Sequence, residues 1–301
     1  MNLNRIAVIG SSNTDMVIKT TRLPAPGETI LGGDFFMNAG GKGANQAVAA
    51  ARLNGNVALI AKIGNDVFGR EAKQVFENDH INTEFLTIDP DHPSGVALIT
   101  VDAHAENCIV VAPGANSYLN NKDIDSARSE ILRSKLILMQ LEIPIETVEY
   151  IANIACEAGI KIILNPAPAR KISDELLSQL YMITPNETEA ELISGIAVHD
   201  IDSAEQAARN LFHRGVKVVI ITLGSKGALL FTGDKAILIP SPKVNALDTT
   251  AAGDVFNGAI AVAISEGMEL KEAVTFACKA ASISVTRMGA QSSAPSRSEI
   301  S

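Results

Sequence analysis

The sequence predicts an α/β protein in which a mostly parallel sheet is sandwiched by helices and carries a small β-sheet lid. Three observations support this expectation. From residue 135 onward, short apolar runs alternate with helical stretches, the pattern of a parallel sheet covered on both faces. Strand-like runs at 95–101 and 107–111 follow each other with no crossover helix, and with the 16–37 region they suit a separate small sheet. Hydrophobic residues fill 47% of the 301 positions and charged residues 20%, enough for a large core and too apolar for a disordered chain. The expected organisation is one domain over 1–301, with the lid formed by about 13–38 and 94–112.

Residues 5–10 read as a buried first strand, rich in β-branched side chains and closed by Gly10. A dinucleotide-binding fold would continue with Gly-x-Gly-x-x-Gly entering a helix. Ser11-Ser12-Asn13-Thr14-Asp15 instead leads into a strand-like run at 16–20, so that reading fails. Asn13 and Asp15 are two apart and face the same way on an extended strand, where an amide and a carboxylate suit the hydroxyls of a polyol or a solvated edge. After a turn at 23–29 and a strand at 30–37, Gly40-Gly41-Lys42-Gly43-Ala44-Asn45 opens an Ala-rich helix. It is not a P-loop, because Phe36 takes the place of the first Walker glycine and Gly43 that of the Ser or Thr after Lys42. The small residues admit a ligand close to the backbone, with Lys42 and Asn45 one turn apart on one side; sugar binding and plain helix packing both fit.

A strand at 57–63, a helix at 68–79 and a strand at 85–88 continue the alternation, and a polar hairpin tip at 102–106 joins the two lid strands. Strands at 136–140, 161–164, 182–184 and 216–222 then alternate with helices at 144–157, 187–193 and 204–214. Ligands of such sheets bind at the carboxyl ends of the strands. The polar residues there are Gln140 and Glu142, Asn165, Asn186 with Glu189, and the loop Thr222-Leu223-Gly224-Ser225-Lys226-Gly227. Asn186 and Glu189 lie three apart at a helix start, a spacing that serves a metal-bound water, a phosphate or a capping box equally well.

The stretch Asp248-Thr249-Thr250-Ala251-Ala252-Gly253-Asp254 runs through small residues into an apolar helix. A helix opened this way aims several backbone N–H groups at one point, where the dipole favours an anion. Asp254 would repel a phosphate there but suits a base that takes a proton from an attacking hydroxyl while the N–H groups hold the transferred phosphoryl. The plain alternative is an ordinary N-capped core helix.

The formal net charge is −9 and no basic cluster stands out, which excludes nucleic acid as the expected partner. No signal-peptide core or membrane-length apolar segment is present, so a soluble cytoplasmic protein without a membrane partner is expected. Cys108, Cys156 and Cys278 are far apart and read as free thiols; the five histidines have no ligand spacing.

In their order and spacing, the segments 40–47, 165–169, 184–189, 222–227 and 248–259 resemble the phosphofructokinase-B-type sugar kinase family, its ribokinases in particular, over essentially the whole chain. The resemblance implies ATP-dependent phosphorylation of D-ribose at its 5-hydroxyl, with Asp254 as catalytic base and Ala252 and Gly253 in the anion hole. It implies sugar contacts at Asn13, Thr14, Asp15, Gly41, Lys42, Gly43, Asn45 and Glu142. It implies ATP contacts at Asn186, Thr222, Leu223, Gly224, Ser225, Lys226, Gly227, Gly253 and Asp254, with Cys278 where Asn or His commonly meets adenine. Glu189 is tied to the Mg2+ region through water, and a K+ ion is implied at Asp248, Thr250, Ser284, Arg287, Gly289 and Ser293. A homodimer through the lid sheet is also implied. Ala251 stands where many members have Gly, and a final helix is expected to begin at 296–300. The competing readings are a kinase of 2-deoxyribose, fructose or a nucleoside, and a non-catalytic sugar or nucleotide sensor; an intact Asp254, Lys42 and Asn186 argue against the sensor.

Overall fold

The computed structural model describes residues 4–104 and 106–300; Ala105, in the expected hairpin tip, lies outside the described residues. In chain order the strands are β1 (Arg5–Ile9), β2 (Asn13–Lys19), β3 (Phe35–Gly40), β4 (Asn56–Gly64), β5 (Leu86–Asp89), β6 (Gly95–Val101), β7 (Asn107–Ala112), β8 (Leu136–Met139), β9 (Lys161–Leu164), β10 (Met182–Ile183), β11 (Val218–Thr222), β12 (Ala228–Phe231) and β13 (Ile237–Ile239). The helices are α1 (Lys42–Arg52), α2 (Val67–Asn78), α3 (Asn121–Ser126), α4 (Arg128–Arg133), α5 (Ile145–Glu157), α6 (Asp174–Gln179), α7 (Glu187–Ser194), α8 (Ile201–His213), α9 (Ala252–Glu266) and α10 (Leu270–Ser284).

Nine strands form the main sheet in the order β13-β12-β11-β10-β9-β8-β1-β4-β5. Pairing is parallel from β11 to β5, and β12 and β13 add an antiparallel edge. Strand alternation sends side chains to opposite faces, and here both faces are buried. Ile6 and Val8 of β1 join the core layer under α1, α9 and α10, while Ala7 and Ile9 join the layer under α3 to α8. Continuous apolar runs such as Leu136–Met139, all of it buried, follow from this two-sided cover.

The second sheet has the order β3-β2-β6-β7, with β2 and β6 parallel and the outer pairs antiparallel. Its register decides what it offers to each side. Asn13 and Asp15 share one face of β2, and Asn13 pairs with Gly40 on one side and Gly95 on the other. A Cβ at Gly95 would lie 2.1 Å from Asn13 Oδ1, and one at Gly40 would lie 2.3 Å from Asp15 Oδ2, so both polar side chains need these glycines. The opposite face carries Met16, Ile18, Phe35, Met37, Leu98 and Val110.

Several boundaries differ from the sequence expectations. The third strand covers 35–40 rather than 30–37, because the pairing that starts at Asn13–Gly40 ends at Ile18–Phe35 and leaves Leu31 out in solvent at 99% exposure. Helix α8 starts at Ile201 rather than 204, where Asp200 and Ser203 close a capping box. The expected final helix is a short 3-10 turn, Arg297–Glu299, with its own capping box from Ser296.

Candidate active site

A cleft of about 210 Å³ opens at the carboxyl ends of β9, β10 and β11, lined by Lys42, Asn165, Thr184, Asn186, Glu189, Thr222, Thr249, Ala251, Ala252, Gly253, Asp254 and Asn257 among others. Its floor is the start of α9. Ala251, the N-cap, is left-handed with φ 57 and ψ 13, which is unusual for a residue with a Cβ and turns the chain sharply into the helix. The Ala252 N–H is drawn to Thr249 O at 3.3 Å, whereas helix geometry leaves those of Gly253 and Asp254 without an intrahelical acceptor. A Cβ at Gly253 would meet no atom within 4 Å, so the backbone there faces open space.

Asp254 is 6% exposed. Its Oδ2 accepts from Asn45 Nδ2 at 2.9 Å and its Oδ1 from Gln46 Nε2 at 2.9 Å. Burial raises the carboxyl above its ordinary value, against the nearby Lys42 ammonium and the two amide donors, which favour the ionised form. A buried carboxylate held by neutral donors beside a helix N-terminus has the character of a base.

The seam between α1 and α9 brings these groups together. A Cβ at Gly258 would lie 2.7 Å from Ala49 Cβ and 2.8 Å from Gln46 O, so the helices touch through Gly and Ala. Gly258 lies one turn beyond Asp254, and the close approach at this level sets Asn45 and Gln46 against the carboxylate. Helix α1 itself starts at Gly41, whose φ of 88 places it where a side chain is strained and a Cβ would lie 2.6 Å from Asn13 N.

Lys42 opens α1 amid carboxylates. Burial alone would lower its ammonium, but Asp254, Glu142, Glu189 and Asp15 around it raise it above the ordinary lysine value. Asp15 is pushed up to about 6 by burial, then by Glu142 and Asp254, with Lys42 opposing. Glu142 Oε2 accepts from Ser11 Oγ at 2.5 Å and from the Lys42 N–H at 3.0 Å, which fixes the α1 start to the loop after β8. Asp15, Lys42, Glu142 and Asp254 are close enough to shift one another and Asn45 is bonded to Asp254, yet of the expected sugar contacts only Lys42 and Asp254 line the cleft. The Asn45 Oδ1 beside Asp254 is buried without a hydrogen-bond partner among the described residues, an acceptor left over next to the carboxylate.

At the other end of the cleft, the capping-box reading of the Asn186–Glu189 spacing is the one observed. The capping box is closed, with Asn186 Oδ1 accepting from the Glu189 N–H at 2.8 Å and Glu189 Oε2 accepting from the Asn186 N–H at 2.9 Å, yet both residues line the cleft. Burial raises the Glu189 carboxyl.

Gln46, Asn116 and Ser11 escaped the sequence reading. Asn116 is 1% exposed; its Nδ2 donates to Asn13 Oδ1 at 2.8 Å and its Oδ1 accepts from the Ser12 N–H at 2.9 Å. The Asn13 oxygen is thereby engaged and its NH2 is left for a ligand.

A family model described as pfkB family carbohydrate kinase matches residues 3–297. The chain belongs to this family. It is 46% identical over 294 residues to a ribokinase of Haemophilus influenzae, covering 98% of this chain and 96% of that one. A deoxyribokinase of Salmonella typhi is 40% identical, covering 97% and 95%. The solved Arabidopsis thaliana ribokinase complexed with ribose and ATP superposes with a TM-score of 0.91 at 32% identity, covering 98% of this chain and 96% of that one.

Within this pfkB-family kinase, other expected contacts fall outside the cleft. Of the loop 222–227 only Thr222 lines it; Leu223 is a core side chain at 4% exposure, while Gly224, Ser225 and Lys226 are exposed beyond it. Gly227 serves packing, since a Cβ there would lie 2.0 Å from Ile239 O. Cys278 is buried in the core on α10, its thiol pushed up to about 11 by burial, and does not line the cleft. Thr14 and Gly43 are buried beside Asn13 and Lys42.

The residues expected to hold K+ come together behind the α9 turn. Asp248 accepts from the Thr250 N–H at 2.9 Å and the Gly289 N–H at 2.8 Å, tying the 248–250 turn to the loop after α10. Ser284 and Ser293 are buried there. The Arg287 side chain pairs with Glu299.

Proposed function

We propose that this chain is an ATP-dependent ribokinase, transferring the γ-phosphoryl of ATP to the 5-hydroxyl of D-ribose. The observation that carries the reading is Asp254, a buried carboxylate held by Asn45 and Gln46 in the first turn of α9, with Lys42 beside it. Asp254 takes the hydroxyl proton as the oxygen attacks phosphorus; the bond from phosphorus to the leaving oxygen of ADP breaks, and the N–H groups of Gly253 and Asp254 meet the charge on the transferred group. Asn13, Asp15, Lys42, Asn45 and Glu142 hold the sugar, while Asn186 and Thr222 lead to the nucleotide side. Mg2+ would sit near Glu189 through water and supply charge neutralisation on the phosphates. K+ would sit at the Asp248 turn and brace it.

The four-stranded sheet is the lid of a single domain, and its outer face supports a homodimer. Phe35, Met37, Leu98 and Val110 are 56%, 49%, 54% and 63% exposed on that face, an apolar patch that a second copy would cover. No helix among the described residues is long and apolar enough to cross a membrane. The need for ATP favours the cytoplasm.

The similarity to a deoxyribokinase makes 2-deoxyribose a second acceptor reading. The direct test of the mechanism is Asp254→Asn. It should fold while turnover drops by ~10²–10⁴. Turnover like that of the unaltered protein would remove Asp254 from the chemistry.

A further inference from the structure

Gln46 is fully buried on α1 and every polar position of its carboxamide is engaged. Its Nε2 donates to Asp254 Oδ1 at 2.9 Å and to Asn165 Oδ1 at 3.0 Å, and its Oε1 accepts from Gln140 Nε2 at 2.6 Å. A carboxamide turned end for end has the same shape, so its partners alone decide which end faces the carboxylate. The acceptor-only Asp254 carboxylate and Asn165 Oδ1 fix the Gln46 NH2 end, and Gln140, also fully buried, meets the Gln46 oxygen with an N–H while its own Oε1 has no hydrogen-bond partner among the described residues. Gly10 makes room for this, since a Cβ there would lie 2.1 Å from Gln140 Oε1. The chain continues on the far side, where Asn165 Nδ2 donates to Thr184 O at 3.2 Å, Thr184 Oγ1 to Asn257 Oδ1 at 2.6 Å, and Asn257 Nδ2 to Gly253 O at 2.8 Å. One buried amide network thus joins the carboxylate to the backbone of the helix turn that faces the cleft.

We propose that Gln46, its oxygen backed by the Gln140 N–H, is a positioning residue for the base: it holds the Asp254 carboxylate in one orientation as a donor to Oδ1. The inference rests on the kinase reading and extends it. Asn45 holds the other oxygen; Gln46 is fully buried, so it reaches the cleft only through the groups it bonds, Asp254 on one side and Asn165 on the other. The charged groups facing Asp254 are Lys42 from α1, Glu142 from the loop after β8, Asp15 from β2 and Glu189 from α7, and all remain when Gln46 is changed. A donor removed from an ionised carboxylate makes it easier to protonate.

The test is the pH dependence of kcat and KM for Gln46→Met, Gln140→Met and the double variant, on whichever acceptor the unaltered protein turns over, with melting curves alongside. Gln46→Met should lower kcat about 10- to 100-fold, leave both KM values within about threefold, and move the acid limb of the profile up by about half to one pH unit. Gln140→Met should shift both in the same direction by less, and the double variant should be no worse than Gln46→Met alone, because both act through one contact. An unmoved acid limb with only a lower melting temperature, or effects that add in the double variant, would overturn the proposal. If Gln46→Met does not fold, Gln140→Met decides, and an unaltered profile there overturns it. An unaltered protein that binds sugar but turns over nothing would overturn the kinase reading and this inference with it; an active protein indifferent to both glutamines overturns this inference alone.

Discussion

Asp15 shows how a residue's chemistry is set by its neighbours. Burial first, then Glu142 and Asp254, raises its carboxyl to about 6, so the free protein takes up a proton there as pH falls through that value. A sugar whose hydroxyls donate to Asp15 binds the ionised form. Affinity should therefore be full above about pH 6 and fall by up to about tenfold per unit below it, and Asp15→Asn should flatten that limb while weakening binding overall. Calorimetric titration of sugar between pH 5 and 8 checks this, and an affinity indifferent to pH would separate Asp15 from the sugar. Asp254, Lys42, Asn45, Asn186 and Glu189 were legible in the sequence because each sits in a local pattern with its own chemical logic. Gln46 and Asn116 were not, because each works on a distant partner: Gln46 and Asp254 are 208 positions apart, Asn116 and Asn13 103, and no spacing announces such a contact. Cys278 and Leu223 have side chains buried in the core, away from the cleft, which position in a motif does not reveal.

Among the elements, α1 and α9 decide whether the site exists. Their seam of Gly and Ala lets the backbones approach, and Gly258→Ala would put a methyl 2.7 Å from Ala49 Cβ. The expected outcome is a loss of about 1–3 kcal/mol in stability and a fall in kcat, as Asn45 and Gln46 are pushed off Asp254. Chemical denaturation and steady-state kinetics on one preparation would read both effects. A loss of stability with kcat intact would show that the seam supports the fold without setting the base. The Ala-rich α1 and the apolar α9 could be read as helices from their composition, but not that they meet, because small residues are compatible with many packings. The main strands stood out through their unbroken apolar runs. The third strand was misplaced by several residues because Ile30 and Leu31 look like strand residues, whereas the register is set by Gly40 opposite Asn13.

At the scale of the whole molecule, the cleft opens at the carboxyl ends of the main sheet's strands, and the small sheet carries Asn13 and Asp15, the latter close enough to Asp254 and Lys42 to feel their charge. The two faces of the small sheet differ, with polar side chains toward the site and an apolar patch away from it. If that patch pairs two copies, Leu98→Asp with Val110→Asp should yield monomers by light scattering, and a protein already monomeric before the change would contradict the dimer. The alternation of strands and helices made the architecture readable in advance, while the acceptor does not follow from the fold. The most direct measurement is therefore ADP release with Mg2+ and ATP on ribose, 2-deoxyribose, fructose and adenosine, each with and without K+. Turnover strongest on ribose and raised by K+ is the predicted result; no turnover on any acceptor by a protein that still binds sugar would contradict the account.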